Sequence, residues 1–144
     1  MKRYLFAAAA AAFTFSAPAA AQESSFEAGV YWDVGMIDIE DGKGEAYGDW
    51  LASEWKRNQE FAKSKRWIRD YFVLANQYPR EGEPDLYLVT VSERLPDAAE
   101  DRKRQREYEA WAKKNVRQLD VEQGARGSMR KVLGAMLLRE LKLK

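Results

Sequence analysis

The side chains that could do chemistry in this chain are acids, bases, alcohols and amides, because its 144 residues include no histidine and no cysteine. Those two absences exclude histidine-based catalytic triads, histidine zinc sites, thiolate nucleophiles and iron–sulfur centres. The sequence shows no nucleophile–base pair and no metal-binding cluster. We therefore expect neither a metal nor a cofactor, and any catalysis must use other side chains.

Two carboxylates are the candidates for a catalytic base. Asp33 lies in a stretch of branched and aromatic residues, where a carboxylate is costly unless it is paired, and Arg69 is a possible partner. Glu54 and Asn58 lie four residues apart within the apolar stripe of a predicted helix. Each side chain therefore either forms hydrogen bonds at the margin of that stripe or lines a pocket. We favour a structural or interface pair for Asp33, and the margin of the stripe for Glu54 and Asn58. Burial would raise the pKa of either carboxyl and suit it to proton abstraction.

Aromatic side chains are the candidates for binding a flat ligand. The sequence has five tryptophans. The candidate ligand-binding residues are Trp32, Trp50 and Tyr71, together with Asn58 and Arg69. The competing interpretation is ordinary core, because aromatic residues at helical spacing usually pack inside the protein.

The elements that position these residues can be read from periodicity. Branched and aromatic residues predict strands over residues 30–39, 67–74 and 86–91, and alternating leucines predict a closing strand at the end of the chain. Apolar residues three, four and seven apart predict a long helix after the first strand, with Asp41 as its N-cap. A second helix follows over residues 98–116, capped by Asp97. A helix over residues 131–141 remains an alternative, and residues 117–135 show only short pieces, such as one or two helical turns.

The order of elements predicts an α+β, ferredoxin-like βαββαβ domain, with a four-stranded antiparallel sheet and two helices on one face. The first and third strands are apolar on both sides, whereas a sheet with one wet face alternates cleanly. Because the two helices can cover only one face, we expect a second copy of the chain to cover the other. The sequence therefore predicts a homodimer.

The chain resembles the dimeric α+β barrel superfamily, which includes antibiotic-biosynthesis-type monooxygenases, muconolactone isomerases and haem-degrading enzymes. The resemblance lies in the element order, the two-sided sheet and the run YWDVGMIDI…GKGEAYGDWLASEW, and it covers most of residues 30–109 plus the closing strand. It implies a dimer with a ligand-sized cleft between each sheet and its helices. The chain departs from the haem-related branches in lacking histidine.

Residues 1–21 have the pattern of a secretory signal peptide. Lys2 and Arg3 precede an alanine-rich apolar run, and small residues up to Ala21 form a cleavage site. The run is shorter than the roughly 20 residues of a membrane-spanning helix. We expect cleavage near Ala21, a periplasmic or secreted location, one α+β domain over residues 22–144, and no membrane insertion of the mature chain. With 24 basic and 23 acidic residues, no general attraction to nucleic acid is expected.

Three functions fit these observations. The favoured one is an exported domain that binds a small hydrophobic or aromatic molecule, or a partner protein, without catalysis. The alternative is a cofactor-independent monooxygenase or isomerase of the dimeric α+β barrel type, with Asp33 or Glu54 as the base. A structural envelope protein is the third.

Overall fold

The computed structural model describes residues 24–144, and the predicted signal peptide over residues 1–21 lies outside them. Over the described residues, four strands and three helices form an α+β fold. In chain order they are strand β1 (Phe26–Ile39), helix α1 (residues 44–64), strands β2 (Asp70–Ala75) and β3 (Leu86–Ser92), helices α2 (Ala98–Ala112) and α3 (Val116–Ala125), and strand β4 (Arg130–Leu143). A 3₁₀ turn, Arg126–Ser128, joins α3 to β4.

The strands form one antiparallel sheet in the order β2-β3-β1-β4. Branched and aromatic residues favour these strands because they pack well on a pleated surface. β1 begins at Phe26 rather than at residue 30, and β2 begins at Asp70 rather than at residue 67. The closing segment is a strand and not the alternative helix.

The number of helices differs from the prediction, because the βαββαβ order has two helices and the described residues form three. α2 ends at Ala112 because Lys113 adopts a left-handed backbone conformation, with φ of 54°. A capping box then starts α3. The side chain of Asn115 accepts a hydrogen bond from the Gln118 N–H at 3.0 Å, and the Gln118 side chain accepts one from the Asn115 N–H at 2.9 Å. Residues 117–135 therefore contain most of a third helix.

Helix α1 is continuous but not uniform. It consists of Gly44–Trp50, a π-helical turn Leu51–Trp55, and Lys56–Ser64. The prediction of Asp41 as N-cap is wrong, because the cap position is Lys43 and no side chain bonds there. Asp41 lies instead in the turn after β1, which is closed by a 2.9 Å backbone hydrogen bond between residues 43 and 40.

Helix α1 covers one face of the sheet, which we call the helix face. Ile37 of β1 and the β3 residues Leu86 and Leu88 pack there against Tyr47 and Leu51 of α1. Tyr47 is fully buried. This cluster fixes the first half of α1 on the sheet.

Helix α2 packs on the second half of α1 through aromatic rings. Phe61 of α1 stacks on Trp111 of α2, with ring centroids 4.3 Å apart, and it also contacts Tyr108 and Trp67. The predicted N-cap of α2 is confirmed, because the Asp97 side chain accepts hydrogen bonds from two backbone N–H groups of the first turn. The helix layer is thus held together by stacked rings.

The opposite side of the sheet, which we call the open face, is also apolar. Val34 of β1 and Val89 of β3 are paired and buried there. Within residues 24–144, this cluster is packed by Trp32 and Tyr87 of the same face and by no helix residue. Residues paired across strands share a face, so four large exposed side chains lie here too: Phe72, Leu74, Met136 and Leu138.

Candidate ligand-binding site

A cavity of about 730 Å³ lies between the middle of α1 and the helices α2 and α3, and we call it the helix cavity. Its walls come from three segments that are distant in sequence: residues 50–58, residues 105–112 and residues 114–126. Small-molecule sites in proteins have volumes of roughly 300–1,000 Å³. The helix cavity is therefore large enough for a small organic ligand.

The π-helical turn of α1 forms one wall of the helix cavity. Trp50 precedes the turn, Glu54 lies in it, and Asn58 follows it. Side chains four residues apart lie on the same side of a helix, which explains why these three share a wall. π-helical turns interrupt the regular backbone hydrogen bonds and are frequent at functional sites.

A stack of rings and guanidinium groups holds Trp50 in place. The Trp50 and Tyr47 rings are stacked, with centroids 5.5 Å apart and planes 14° apart. The Arg126 Cζ atom lies 4.7 Å from the Trp50 ring centroid, and the Arg130 Cζ atom lies 5.8 Å from the Tyr47 ring centroid. Further apolar side chains line the other walls: Tyr108, Ala112, Val116 and Leu119.

Two polar atoms of the cavity wall are buried without a hydrogen-bond partner, Asn58 Oδ1 and Arg126 Nε. The Tyr47 hydroxyl and Arg130 Nε, beside the cavity, are in the same condition. Buried polar atoms nearly always have a partner, and leaving one unpaired costs about 1–3 kcal/mol. Unpaired polar atoms are therefore concentrated around the cavity, and two of the four belong to side chains that line it.

Four other charged side chains of the cavity form two ion pairs, whereas Asp120, which also lines it, forms none among the described residues. Glu54 and Arg57 are 2.7 Å apart, and Lys114 and Glu122 are 2.6 Å apart. The Glu54 side chain is 45% exposed, so it lies at the mouth of the cavity. Among the described residues, Arg126 is therefore the one basic side chain of the cavity wall that forms no ion pair.

Burial sets the protonation of the groups around Trp50. It lowers the pKa of Arg126, and the charge of nearby Arg130 lowers that pKa further. Burial raises the pKa of the Tyr47 hydroxyl, against the opposing charges of the two arginines, and it also raises the pKa of Tyr108. Both phenols therefore stay neutral at physiological pH and can donate hydrogen bonds.

Three of the residues singled out in the sequence, Trp50, Glu54 and Asn58, meet in the helix cavity, and Trp32 and Tyr71 lie elsewhere. Trp32 stacks on Phe72 at the open face, with centroids 6.1 Å apart. The Tyr71 hydroxyl on β2 donates to Glu60, and this hydrogen bond raises the pKa of Tyr71 to about 12. Both rings belong to the packing of the sheet and not to the cavity.

The predicted pair between Asp33 and Arg69 is wrong. Asp33 is exposed on β1, so its carboxylate needs no buried partner. The Arg69 guanidinium is instead 3.3 Å from the Glu93 carboxylate. Neither Asp33 nor Arg69 lines the helix cavity.

A second concave region, which we call the charged groove, lies beside the end of α1 and the start of α2. It is lined by residues 63, 65–69, 93, 94, 100 and 104, six of which are basic. Five of the six pair with carboxylates, and Glu100 serves two of them, Arg94 and Arg104. Hydrogen bonds from these two arginines lower the pKa of Glu100 to about 2. The groove is thus largely neutralised by its own side chains.

Neither Arg126 nor Tyr108 is among the site residues predicted from the sequence. Tyr108 lies one helical turn before Ala112, which also faces the cavity. Arg126 carries no local signal, because its role depends on a ring more than seventy residues earlier in the chain. The pair Asn115 and Gln118 could have revealed α3, since this spacing is typical of a helix start.

Two absences hold for residues 24–144. No group of three or more acidic side chains is placed to hold a metal ion, and none of the helices is long and apolar enough to cross a membrane. Comparisons of the chain with protein-family models, with curated proteins and with solved structures find no match. The assignment of a role therefore depends on the geometry of the site.

Proposed function

We propose that this chain is a small-molecule-binding domain, and that its ligand is a compact hydrophobic or aromatic molecule held in the helix cavity. The observation that carries the proposal is the cavity wall itself. It combines stacked and apolar side chains with the buried, unpartnered Asn58 Oδ1 and Arg126 Nε. The lining is mixed, because nine of its fifteen residues are polar or charged, so a bound ligand would contact polar groups as well as the rings.

The test uses N-phenyl-1-naphthylamine, an uncharged aromatic dye that becomes fluorescent in apolar sites. The variant Ala112→Trp would fill the cavity from α2. The matched control is Ala110→Trp, which adds the same side chain at an exposed position of the same helix. We expect the first variant to weaken dye binding by at least about tenfold, which corresponds to 1.4 kcal/mol.

The control variant should bind the dye as the wild type does, and both variants should keep the wild-type circular dichroism spectrum. Equal dye affinity in folded Ala112→Trp and in the wild type would overturn the proposal. So would the absence of dye binding to the wild type.

The alternative, a cofactor-independent monooxygenase or isomerase, depends on Glu54, since Asp33 lies away from the cavity. A base in such a site is usually an unpaired, buried carboxylate. Glu54 is half-exposed and paired with Arg57, which is why we favour binding without turnover. A Glu54→Gln variant that binds an aromatic substrate but loses its conversion would reverse this preference.

We further propose that two copies of the chain associate through their open faces, as in the dimeric α+β barrel arrangement that the sequence resembles. Exposed Phe72, Leu74, Met136 and Leu138 support this, because large exposed apolar patches usually mark interaction sites. A stable interface needs about 800 Å² from each partner. At roughly 25 cal/mol per Å², that area gives about 20 kcal/mol before the costs of association are subtracted.

Neighbouring leucines of β4 provide a matched test of this dimer. Leu138 lies on the open face and Leu137 on the helix face, and they are 50% and 55% exposed. Leu138→Glu should give a monomer in sedimentation velocity at micromolar concentration, whereas Leu137→Glu should stay dimeric. A monomeric wild type would refute the open-face dimer without affecting the proposal for the cavity.

Export to the periplasm or the medium is proposed on the basis of the signal-peptide pattern in residues 1–21. Mass spectrometry of the native protein should give Gln22 as the first residue. An intact Met1 on protein from the cell envelope would contradict the proposal.

A further inference from the structure

We propose that Arg126 and Arg130 form an anion subsite at the Trp50 end of the helix cavity, so that the ligand carries a carboxylate, sulfonate or phosphate group beside its apolar part. This inference rests on the proposed ligand-binding function and specifies the class of ligand. Its basis is the unbalanced charge at one end of the cavity.

The two guanidinium groups lie over two rings that are themselves stacked. Arg126 covers Trp50 at 4.7 Å and Arg130 covers Tyr47 at 5.8 Å, while the two rings are 5.5 Å apart. Both guanidinium groups thus lie against the same pair of stacked rings, close enough for the charge of Arg130 to lower the pKa of Arg126. Stacking fixes the plane of a guanidinium and leaves its N–H groups at the edge free to donate.

Neither arginine has an ion-pair partner within residues 24–144, although nine other ion pairs form there. The Nε atoms of both are buried and lack a hydrogen-bond partner. The two positive charges repel each other, and the charge of Arg130 therefore lowers the pKa of Arg126. An anion bound by Arg126 at the cavity wall would offset this repulsion.

The acidic side chains of the cavity wall, Glu54, Asp120 and Glu122, do not supply that anion, because none of them forms an ion pair with either arginine. Glu122 is close enough to Arg126 to influence its pKa, but its carboxylate is paired with Lys114 at 2.6 Å. Glu54 is paired with Arg57. The Tyr47 hydroxyl is fully buried and Tyr47 does not line the cavity, so the anion would be held by guanidinium groups. Hydrogen bonds from a guanidinium to an oxyanion are charge-assisted and are among the stronger ones in proteins.

The competing explanation is that the arginines only cover the rings by cation–π contact. A third arginine, Arg139 on β4, provides the control for this. Its Cζ atom lies 4.8 Å from the ring centroid of Tyr31 on β1, and neither residue lines the cavity. If stacking were the whole role, loss of Arg126 should affect charged and uncharged ligands equally. If Arg126 binds an anion, only the charged ligand should lose affinity.

The test compares two dyes that share one ring system, 8-anilinonaphthalene-1-sulfonate and the uncharged N-phenyl-1-naphthylamine. We expect Arg126→Gln to weaken binding of the sulfonate dye by about tenfold or more, since hydrogen bonds to charged groups contribute about 1.5–3 kcal/mol. The affinity for the uncharged dye should change by less than about threefold, because the apolar walls are intact. Arg139→Gln should change neither affinity.

The outcomes separate this inference from the proposed function. If both dyes bind in the cavity and Arg126→Gln leaves the ratio of their affinities unchanged, the anion subsite is refuted and the cavity proposal stands. If Ala112→Trp blocks the binding of neither dye, the cavity proposal fails and this inference fails with it. Should Arg126→Gln not fold, Arg130→Gln replaces it, and an unchanged ratio there refutes the subsite equally.

Discussion

The helix cavity and the charged groove are both concave, both rich in arginine and both built against α2, yet their charges are arranged differently. In the groove, Glu100 binds Arg94 and Arg104 together, and Glu93 binds Arg69. In the cavity, Arg126 lies over Trp50 with no carboxylate partner. The paired charges of the groove join α2 to the rest of the fold. The unpaired Arg126 of the cavity is available to a ligand.

The difference also shows why counting basic residues is a poor guide to binding. The groove has twice as many basic side chains in its lining as the cavity has, six against three. Most of its pairs are at the surface, where an ion pair contributes about 0–1 kcal/mol. The single half-buried Arg126 is the better indication of a site, because it lines the cavity against the Trp50 ring and has no ion pair among the described residues.

The largest effect should come from the side chain that joins the two regions. Phe61 is buried and contacts Trp67 at the groove as well as Trp111 and Tyr108 next to the cavity. Phe61→Ala should lower the free energy of unfolding by about 3–5 kcal/mol, as measured by urea titration. A loss below about 1 kcal/mol would show that the two regions are stabilised independently.

A smaller effect is expected at the start of α2, the helix that contributes to both regions. The Asp97 side chain accepts hydrogen bonds from the N–H groups of Ala99 and Glu100 at 2.9 and 2.8 Å. Asp97→Ala should lower the free energy of unfolding by about 1 kcal/mol, and Asp97→Asn, which keeps the capping oxygen, should cost only a few tenths. Equal losses in the two variants would contradict the capping role.

The paired charges of the groove should add a still smaller stabilisation, confined to one pH range. The pKa of Glu100 is lowered from 4.5 to about 2 by its two arginines. Its contribution to stability is therefore complete above about pH 5 and disappears as the pH falls toward 2. The difference in Tm between the wild type and Glu100→Gln should follow this course in thermal melts. A difference that stays constant from pH 6 to pH 2 would rule out the pairing.

The sequence predicted the elements whose signals are local. Periodicity located the four strands and α1, and a spacing of four residues along α1 explains why Glu54 and Asn58 lie on the same wall as Trp50. The π-helical turn was missed, since no residue type requires it. The break after Ala112 depends on the left-handed conformation of Lys113, a residue that rarely adopts it.

The remainder of the site could not be read from the sequence because it depends on contacts between distant segments. Arg126 belongs to the site only because α3 brings it onto the ring of Trp50. Asp33 failed as a candidate for the opposite reason, since its position in a strand of apolar residues suggested burial while the folded sheet leaves it exposed. Side-chain spacing indicates which residues share a face, and tertiary packing decides which faces meet.

The most direct test of the account uses the five tryptophans as reporters of where a ligand binds. Their indole N–H signals in a ¹H–¹⁵N correlation spectrum can be assigned by Trp→Phe variants. Trp50 marks the helix cavity, Trp67 the charged groove and Trp32 the open face. On titration with N-phenyl-1-naphthylamine, the account predicts the largest shift for Trp50, with Trp67 and Trp32 unchanged. A largest shift at Trp67 or at Trp32 would contradict the central claim that the helix cavity is the binding site.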